Sequence, residues 1–330
     1  MNKCKLLFLL LACLLFQCEE KLSKHEVSFY YWKSRFVLSS EENAILKTAR
    51  TKKLYVKYFD IKIDLTNHKV YPVASIQGKI DITTAIIPSM FIENEVFKYS
   101  DLEIENLASL VWKKIVAQNK NLQVDLIQEV HVDCDWTVTT KDQYFKFLIE
   151  LGEVSGKEIS STIRLHQVKF RGQTGIPPVK RGVLMCYNMG VIQDPNEENS
   201  IFNLKTLKNF TGSVKSYPIP LDIALPLFEW SVVFRNNKFA FILNTQVLYN
   251  KTDVVQKTEK NEYTCVKSSR IGDKVLLKGD IIRRESVNDE DLKQSIRWFD
   301  DQLPNYEIIF YHLDKQIISS HGPFIRSIIN

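Results

Sequence analysis

Eight short runs of apolar and aromatic residues recur along the chain, separated by more polar stretches. The runs are rich in β-branched and aromatic side chains, which is typical of β-strands. Several of them are apolar on both faces, as expected for a parallel sheet that is covered on both sides. We predict strands at residues 27–32, 54–63, 85–92, 128–136, 159–165, 182–188, 219–225 and 307–312.

Segments with helical periodicity lie between most of these runs. We predict helices over residues 41–50, 102–118 and 204–214, one beginning after Thr140, and one capped by Asp289. Thr140 is a favourable residue type for a helix N-cap. The helix over 102–118 places an apolar stripe on one face. This stripe consists of Leu107, Leu110, Val111 and Ile115. Helices are poorly marked after the second and fifth strands.

The alternation of strands and helices predicts the fold class. Eight strands separated by helical segments indicate an α/β protein, a single (β/α)8 TIM barrel over residues 27–330. A long polar stretch after the seventh strand, about residues 234–284, predicts an insertion. A two-domain α/β architecture is the alternative. No Gly/Ser/Pro-rich linker divides the sequence, and we therefore favour the single barrel.

Residues 1–18 have the pattern of a secretion signal. Lys3 and Lys5 precede an unbroken apolar run over residues 6–16, which is too short to span a bilayer. Cys13 and Cys18 each stand where a bacterial lipoprotein signal, which this segment resembles, carries its acylated cysteine. We expect acylation at Cys18, or at Cys13, with residues 19–26 as a tether. The resemblance implies a lipid-anchored protein on a bacterial membrane, periplasmic or at the cell surface.

Composition and missing motifs exclude several classes of function. The chain is 45% hydrophobic and 25% charged, typical of a globular protein, and a net charge of +5 does not favour nucleic-acid binding. No Cys/His spacing suits zinc, and the sequence contains neither a G-x-G-x-x-G motif nor a P-loop. Cys134, Cys186 and Cys265 are an odd number of cysteines in the body of the chain. We therefore expect no metal, no cofactor and no nucleotide.

The fourth predicted strand carries the most informative polar residues. His131, Asp133 and Asp135 alternate, and they are therefore expected on one face of the strand. Two neighbouring carboxylates in a barrel lumen raise a pKa, which suits a general acid. We expect Asp133 to raise the pKa of Asp135 and both to be catalytic. The alternative is a structural network that ties the aspartates to Arg164 or His166.

Two further strand ends provide candidate substrate-binding residues. Arg164 and His166 alternate at the end of the fifth predicted strand. Arg164 is placed to pair with the aspartates, and His166 is placed to bind a sugar hydroxyl or to transfer a proton. Tyr187 and Asn188 end the sixth predicted strand. A structural role for the Arg/His pair is an equally good interpretation.

The segment after the seventh predicted strand supplies a second acidic candidate. Glu229 follows the seventh predicted strand, and together with Asp135 it would supply the two carboxyls that glycoside hydrolysis requires. Trp136 and Trp230 stand beside these carboxyls. Their rings would suit stacking on a sugar, although either ring would also suit a core position.

The strand VHVDCDWT, residues 130–137, resembles the fourth-strand motif of family 18 glycoside hydrolases, the chitinase-like barrels. Asp133 and Asp135 match two aspartates of that motif. Thr137 stands where the family has its catalytic Glu. LMCYN, residues 184–188, likewise resembles the sixth-strand Met-x-Tyr-Asp, with Asn188 replacing Asp. The resemblance implies a (β/α)8 barrel and a glycan ligand, and Thr137 puts catalysis in doubt.

A wider likeness links the chain to an uncharacterised family of bacterial lipoproteins, and it implies no activity. It covers residues 161–167, 175–190 and 224–230. Two functional hypotheses follow. The first is a membrane-anchored glycoside hydrolase-like barrel that acts on a glycan by carboxylate acid/base chemistry. The second is a non-catalytic glycan-binding or scaffold lipoprotein on a degenerate barrel.

Overall fold

The computed structural model describes residues 22–67, 69–99, 101–248, 251–259 and 261–329. The predicted signal segment, with Cys13 and Cys18, lies outside the described residues, and so does the start of the predicted tether.

The strands and helices can be given in chain order. Within the described residues the strands are β1 (Val27–Tyr31), β2 (Arg35–Phe36), β3 (Lys53–Asp64), β4 (Lys69–Val73), β5 (Gln77–Gly78), β6 (Ala85–Ile92), β7 (Glu129–Asp133), β8 (Glu158–Arg164), β9 (Arg181–Met185), β10 (Leu221–Pro226), β11 (Glu229–Arg235), β12 (Lys238–Leu243), β13 (Val255–Lys257), β14 (Glu262–Cys265), β15 (Ser269–Ile271), β16 (Lys274–Leu276), β17 (Ile281–Ser286) and β18 (Ile308–Tyr311). The α-helices are α1 (Ser40–Thr48), α2 (Ile104–Leu122), α3 (Lys141–Ser155), α4 (Leu165–Lys169), α5 (Arg171–Thr174), α6 (Leu204–Thr211), α7 (Asp289–Asp300) and α8 (Lys315–Ile328). Short 3-10 helices cover Asn94–Lys98, Val214–Ser216 and Thr245–Leu248.

Eight parallel strands close into a barrel. Their order around the ring is β1, β18, β10, β9, β8, β7, β6 and β3. β1 closes the ring, because Phe29 is in register with both Leu54 of β3 and Phe310 of β18. Each predicted strand overlaps one strand of this ring. The prediction of an α/β fold with a single (β/α)8 barrel is therefore confirmed.

Helices cover the outer face of the barrel through their apolar stripes. In α2, Leu107, Val111 and Ile115 are buried, and burial of such a side chain stabilises the fold by about 1.5–3 kcal/mol. The prediction was wrong for Leu110, which lies at the edge of the stripe and is 54% exposed. It was also wrong for the cap of α7, which is Asn288 and not Asp289.

The second βα unit lacks its helix. β3 is 12 residues long and turns back into the antiparallel strand β4, and the described residues between β3 and β6 contain no helix. A β-bulge between Lys57 and Phe59 shifts the register of β3 against β6. The extra residue brings Lys57 and Asp60 onto the same face, where a regular strand would place them on opposite faces.

The insertion is a small antiparallel sheet with its own core. Its strand order is β12, β11, β17, β14, β13. The sheet begins at Glu229, before the predicted start at residue 234, because β11 follows β10 after only a short break. The Glu229–Ser286 register pair joins β11 to β17 where both meet the barrel. Its core consists of Val233, Leu243, Val254, Cys265, Ile271, Leu276 and Ile282.

Among the described helices, none combines the length and the apolar character that crossing a membrane requires. Cys134, Cys186 and Cys265 are buried free thiols, and each behaves as a small apolar core residue.

Candidate active site

A cleft of about 450 Å³ opens where the barrel strands end. This is the face on which barrels of this type carry their functional residues. The last residues of the barrel strands and the loops that follow them form most of the cleft, and the inserted sheet supplies one wall. Its lining consists of Trp32, Lys57, Asp60, Phe91, Asp133, Arg164, Met185, Tyr187, Asn188, Phe228, Glu229, Trp230, Ile242, Leu243, Asn244, Tyr311 and His312.

Aromatic rings dominate one side of this cleft. The ring of Tyr311 lies 5.2 Å from Tyr187, 5.6 Å from Phe228 and 6.0 Å from Trp32, measured between centroids. Phe228 in turn lies 5.2 Å from Trp230. Tyr187 and Trp230 were predicted here, whereas Trp32, Phe228 and Tyr311 were missed. Each of these three stands at or just after the end of a barrel strand, and that position was the available signal.

Asp133 lies at the bottom of the cleft, where the lumen begins. Its side chain is buried, and it accepts a 2.7 Å hydrogen bond from the Thr162 hydroxyl. Burial raises the pKa of Asp133 to about 6, against the opposing effect of the nearby Arg164 guanidinium. The negative charge of Asp135 adds to the increase. The raised pKa thus falls on Asp133, the residue that the prediction had named as the cause of such a shift.

Asp135 forms a bidentate ion pair with Arg164. The Arg164 Nε donates to Oδ1, and Nη2 donates to Oδ2 at 2.9 Å. Both aspartate oxygens are therefore occupied, as in the structural alternative raised for this pair. The adjacent carboxylates raise the pKa of Arg164, which faces the cleft. Asp135 itself does not line the cleft within the described structure.

Trp136 and His166, which were predicted to bind the ligand, do not line the cleft within the described structure. Trp136 is fully buried, stacked 5.2 Å from Tyr144, and its Nε1 donates to the carbonyl oxygen of Thr174. β7 ends at Asp133, so the alternation predicted for this strand stops before Asp135 and Trp136. β8 ends at Arg164, and His166 lies in α4 with its side chain exposed, outside the cleft.

Thr137 is an exposed residue in the connection from β7 to α3. Its backbone N–H donates to the Thr140 hydroxyl oxygen at 2.9 Å, and that hydroxyl donates to Asn94 Oδ1 at 2.6 Å. Thr140 is the residue preceding α3, as predicted, but its side chain caps no helix N–H. The neutral Thr137 side chain has no carboxyl with which to protonate a leaving group.

Glu229 and Asn188 line the cleft as predicted, and both carboxylate oxygens of Glu229 accept hydrogen bonds. Its Oε1 accepts from Gln246 at 2.5 Å, and its Oε2 accepts from Arg284 at 2.8 Å. Asn188 is exposed and adopts a left-handed backbone with φ 55°, a conformation that asparagine tolerates better than most residues. Trp230 Nε1 donates to Glu285 Oε2 at 2.7 Å, which fixes its ring against the insertion.

Lys57 and Asp60 form another ion pair in the cleft, made possible by the bulge in β3. Lys57 Nζ lies 2.7 Å from Asp60 Oδ2 and 5.5 Å from the centroid of the Trp32 ring. A cation this close to the face of a tryptophan interacts favourably with it. The bulge cannot be read from the strand pattern, and the pair was therefore missed.

A hydrogen-bonded chain runs through the lumen below Asp133. Ser160 donates to Glu129 Oε1 at 2.6 Å, and Ser160 Oγ therefore accepts from His131 Nδ1–H at 2.9 Å. His131 Nε2 then accepts from the Tyr30 hydroxyl at 2.9 Å. Lys53 completes the chain with a 2.8 Å contact to Glu129 Oε2. Burial lowers the pKa of His131 to about 4, and the ring is neutral at pH 7.

The cleft therefore combines stacking surfaces with paired charges. Among the cleft carboxyls that the structure describes, Asp60 and Glu229 are in ion pairs, and Asp133 is the one without such a partner. Planar rings beside fixed hydrogen-bonding groups are suited to sugars, which present both apolar faces and hydroxyls. The described residues hold no cluster of three or more His, Cys, Asp or Glu that would bind a metal ion.

Comparisons with known proteins agree on the fold. No protein-family model matches the chain, and no curated protein matches its sequence. The spore cortex-lytic enzyme SleL of Bacillus cereus superposes with a TM-score of 0.56 at 13% identity, over 94% of this chain and 75% of that one. SleL of Bacillus megaterium gives 0.57 at 12% identity, over 94% and 76%.

A chitinase from Chromobacterium violaceum gives a TM-score of 0.52 at 11% identity, over 91% of this chain and 99% of that one. At these identities the likeness concerns the fold, and it agrees with the resemblance of residues 130–137 to the chitinase-like motif. The chain thus has a (β/α)8 barrel fold that is similar to the folds of the two SleL enzymes and of this chitinase.

Proposed function

We propose that the chain binds a glycan in the cleft at the strand ends and does not hydrolyse it through the fourth-strand motif. The observation that carries this proposal is the aromatic wall. This wall on one side of the cleft consists of Trp32, Tyr187, Phe228, Trp230 and Tyr311. The cleft lies at the strand ends of a barrel whose fold is similar to that of a chitinase. Chitin fragments are the first candidate ligands because a chitinase is among the structural neighbours, and peptidoglycan fragments are tested beside them.

The carboxyls of the cleft support binding over hydrolysis. Thr137 replaces the acid that the family resemblance leads one to expect. Asp135 is held at both oxygens by Arg164, and Glu229 is held by Arg284 and Gln246. Groups held in this way orient a ligand well, but they are poorly placed to exchange protons with it.

Hydrolysis remains the second candidate because of Asp133. A carboxyl with a pKa of about 6 is partly protonated near neutral pH, as a general acid must be. It lines the cleft, although it is mostly buried. In this case Asp133 would protonate the leaving oxygen, and Glu229 would be the second carboxyl.

The binding proposal is tested with the mature protein, meaning the chain without its predicted signal segment, residues 1–18. The protein is titrated with chitotetraose, and its tryptophan fluorescence is followed. Trp32→Ala removes a stacking surface, and we expect binding to weaken by about threefold to tenfold. Trp32→Phe keeps an aromatic ring and is expected to retain most of the affinity. Trp112→Ala is the matched control, because Trp112 is partly buried in α2, outside the cleft. Equal effects of the Trp32 and Trp112 changes would contradict the proposal.

Membrane anchoring is part of the same proposal. Acylation at Cys18, or at Cys13, would hold the protein on a bacterial membrane, periplasmic or at the cell surface. His25 pairs with Ile329 just before β1 begins, at the end of the barrel opposite the cleft. An anchor before residue 22 would thus direct the cleft away from the bilayer. Fatty-acid labelling in cells should disappear in one of Cys18→Ala or Cys13→Ala, and unchanged labelling in both would refute the anchor.

A further inference from the structure

A second cavity adjoins the cleft on the side of the inserted sheet. Its volume is about 470 Å³, and it shares Phe228 and Glu229 with the cleft. The end of β17 and the first turns of α8 form its other walls. A chain-like ligand that extends past Glu229 would therefore enter this cavity.

One charged side chain of the cavity wall has its ion-pair partner outside the wall. Arg284 and Glu229 lie 2.8 Å apart and neutralise each other within the wall. Lys315 is also part of the wall, but its partner is Glu41 on α1, with 3.1 Å between Nζ and Oε1. Glu41 does not line the cavity as the structure describes it. The wall thus presents one ammonium group whose counter-charge lies outside it.

The remaining polar groups of the wall form hydrogen bonds. They are the side chains of Gln246, Ser286, Gln316, Ser319 and Ser320, together with the ring of His321, whose Nδ1 lies 2.5 Å from Asp289 Oδ1 outside the wall. The Ser319 hydroxyl donates to the Lys315 carbonyl oxygen at 2.8 Å, and its own oxygen remains able to accept. Short hydroxyls and amides around one cation suit a polar, singly charged anionic group better than an apolar one.

We propose that this second cavity binds a carboxylate carried by the glycan, with the Lys315 ammonium as its charge partner. The inference rests on the proposed glycan binding in the adjoining cleft. It narrows the ligand to an acidic glycan, with sugar rings stacked in the aromatic cleft and an acidic substituent beyond Glu229.

The test compares an acidic ligand with its uncharged methyl ester. One is an oligosaccharide of alternating N-acetylglucosamine and N-acetylmuramic acid, whose lactyl groups carry carboxylates, and the other is its methyl ester. Calorimetric titration of the full mature protein should give about threefold to fivefold tighter binding of the acid, the range of one partly exposed ion pair. The preference should decrease with added salt, because screening weakens such pairs.

Two variants change the charge of the wall in opposite directions. Lys315→Gln removes the ammonium, and it should abolish the preference for the acid without weakening binding of the ester. Glu41→Gln removes the competing carboxylate, and it should enlarge the preference. A merely structural Lys315–Glu41 pair would respond alike to both changes, with no dependence on the ligand charge. Unfolding midpoints of both variants establish that they fold.

The outcomes separate this inference from the proposed function. Equal binding of acid and ester by the unmodified protein would overturn the second site and leave glycan binding intact. A preference that survives in Lys315→Gln would also overturn it. No binding of the acid, the ester or chitotetraose would overturn both proposals.

Discussion

At the scale of single residues, Asp133 shows how position within a barrel changes a carboxyl. It has no ion-pair partner among the described residues, and the Thr162 hydroxyl alone bonds to it directly. Burial therefore dominates, and the folded pKa of about 6 lies above the ordinary value of 3.8. The folded protein thus holds this proton more tightly than the unfolded chain does.

Asp133→Asn should change how stability depends on pH. A raised pKa in the folded state contributes stability below about pH 4, and this contribution is lost as pH rises through about 6. The loss amounts to about 3 kcal/mol for a shift of this size. Asn is uncharged, and its variant should lack this decline. Urea unfolding of both proteins between pH 4 and 7.5 measures the difference, and parallel pH curves would contradict the assigned pKa.

Sequence alone identified the residues that stand on regular strands or next to them. Asp133, Tyr187 and Trp230 lie in the cleft as predicted, because strand alternation and strand ends mark such positions. Trp136 and His166 do not, because periodicity gives no sign of where a strand stops and the chain turns. The ion pairs of the cleft depend on side-chain packing across strands, which no local pattern encodes.

At the scale of elements, the connection between β7 and α3 holds Thr137 in place through Thr140. The Thr140 side chain is fully buried and bonds to both Thr137 N–H and Asn94 Oδ1. A buried group that loses its hydrogen-bond partner costs about 1–3 kcal/mol.

Thr140→Val keeps the shape of the side chain and removes both bonds, and we expect it to lower the free energy of unfolding by about 1–3 kcal/mol. Thr139→Val is the matched control, because Thr139 is exposed in the same turn and should change stability by less than about 0.5 kcal/mol. Chemical denaturation measures both variants. A Thr140→Val loss no greater than that of the control would contradict this role.

The elements differ in how far the sequence predicts them. The barrel strands are continuous apolar runs, and all eight were located. The β3–β4 hairpin and the bulge at Lys57 were missed, because they depend on pairing with neighbouring strands. The inserted sheet was predicted to begin at about residue 234, whereas it begins at Glu229. Only two residues separate β10 from β11, and this short break was missed.

At the scale of the whole molecule, the barrel and its insertion together form the cleft. The barrel presents its strand ends on one face, and the insertion after β10 builds a wall along that face. This arrangement makes a cleft between the strand ends and the inserted sheet, and Trp230 of the sheet is one of its aromatic rings. The fold class followed from the order of strands and helices. The cleft did not, because it depends on how the insertion packs on the barrel.

The most direct test of the central claim is whether the glycan is recovered intact after binding. The mature protein would be titrated with chitotetraose and with the muramic acid-containing oligosaccharide, and each ligand would then be recovered and weighed by mass spectrometry. We predict saturable binding and recovery of the intact oligosaccharide. Shorter products from the unmodified protein, absent with Asp133→Asn, would contradict the claim and establish hydrolysis in its place.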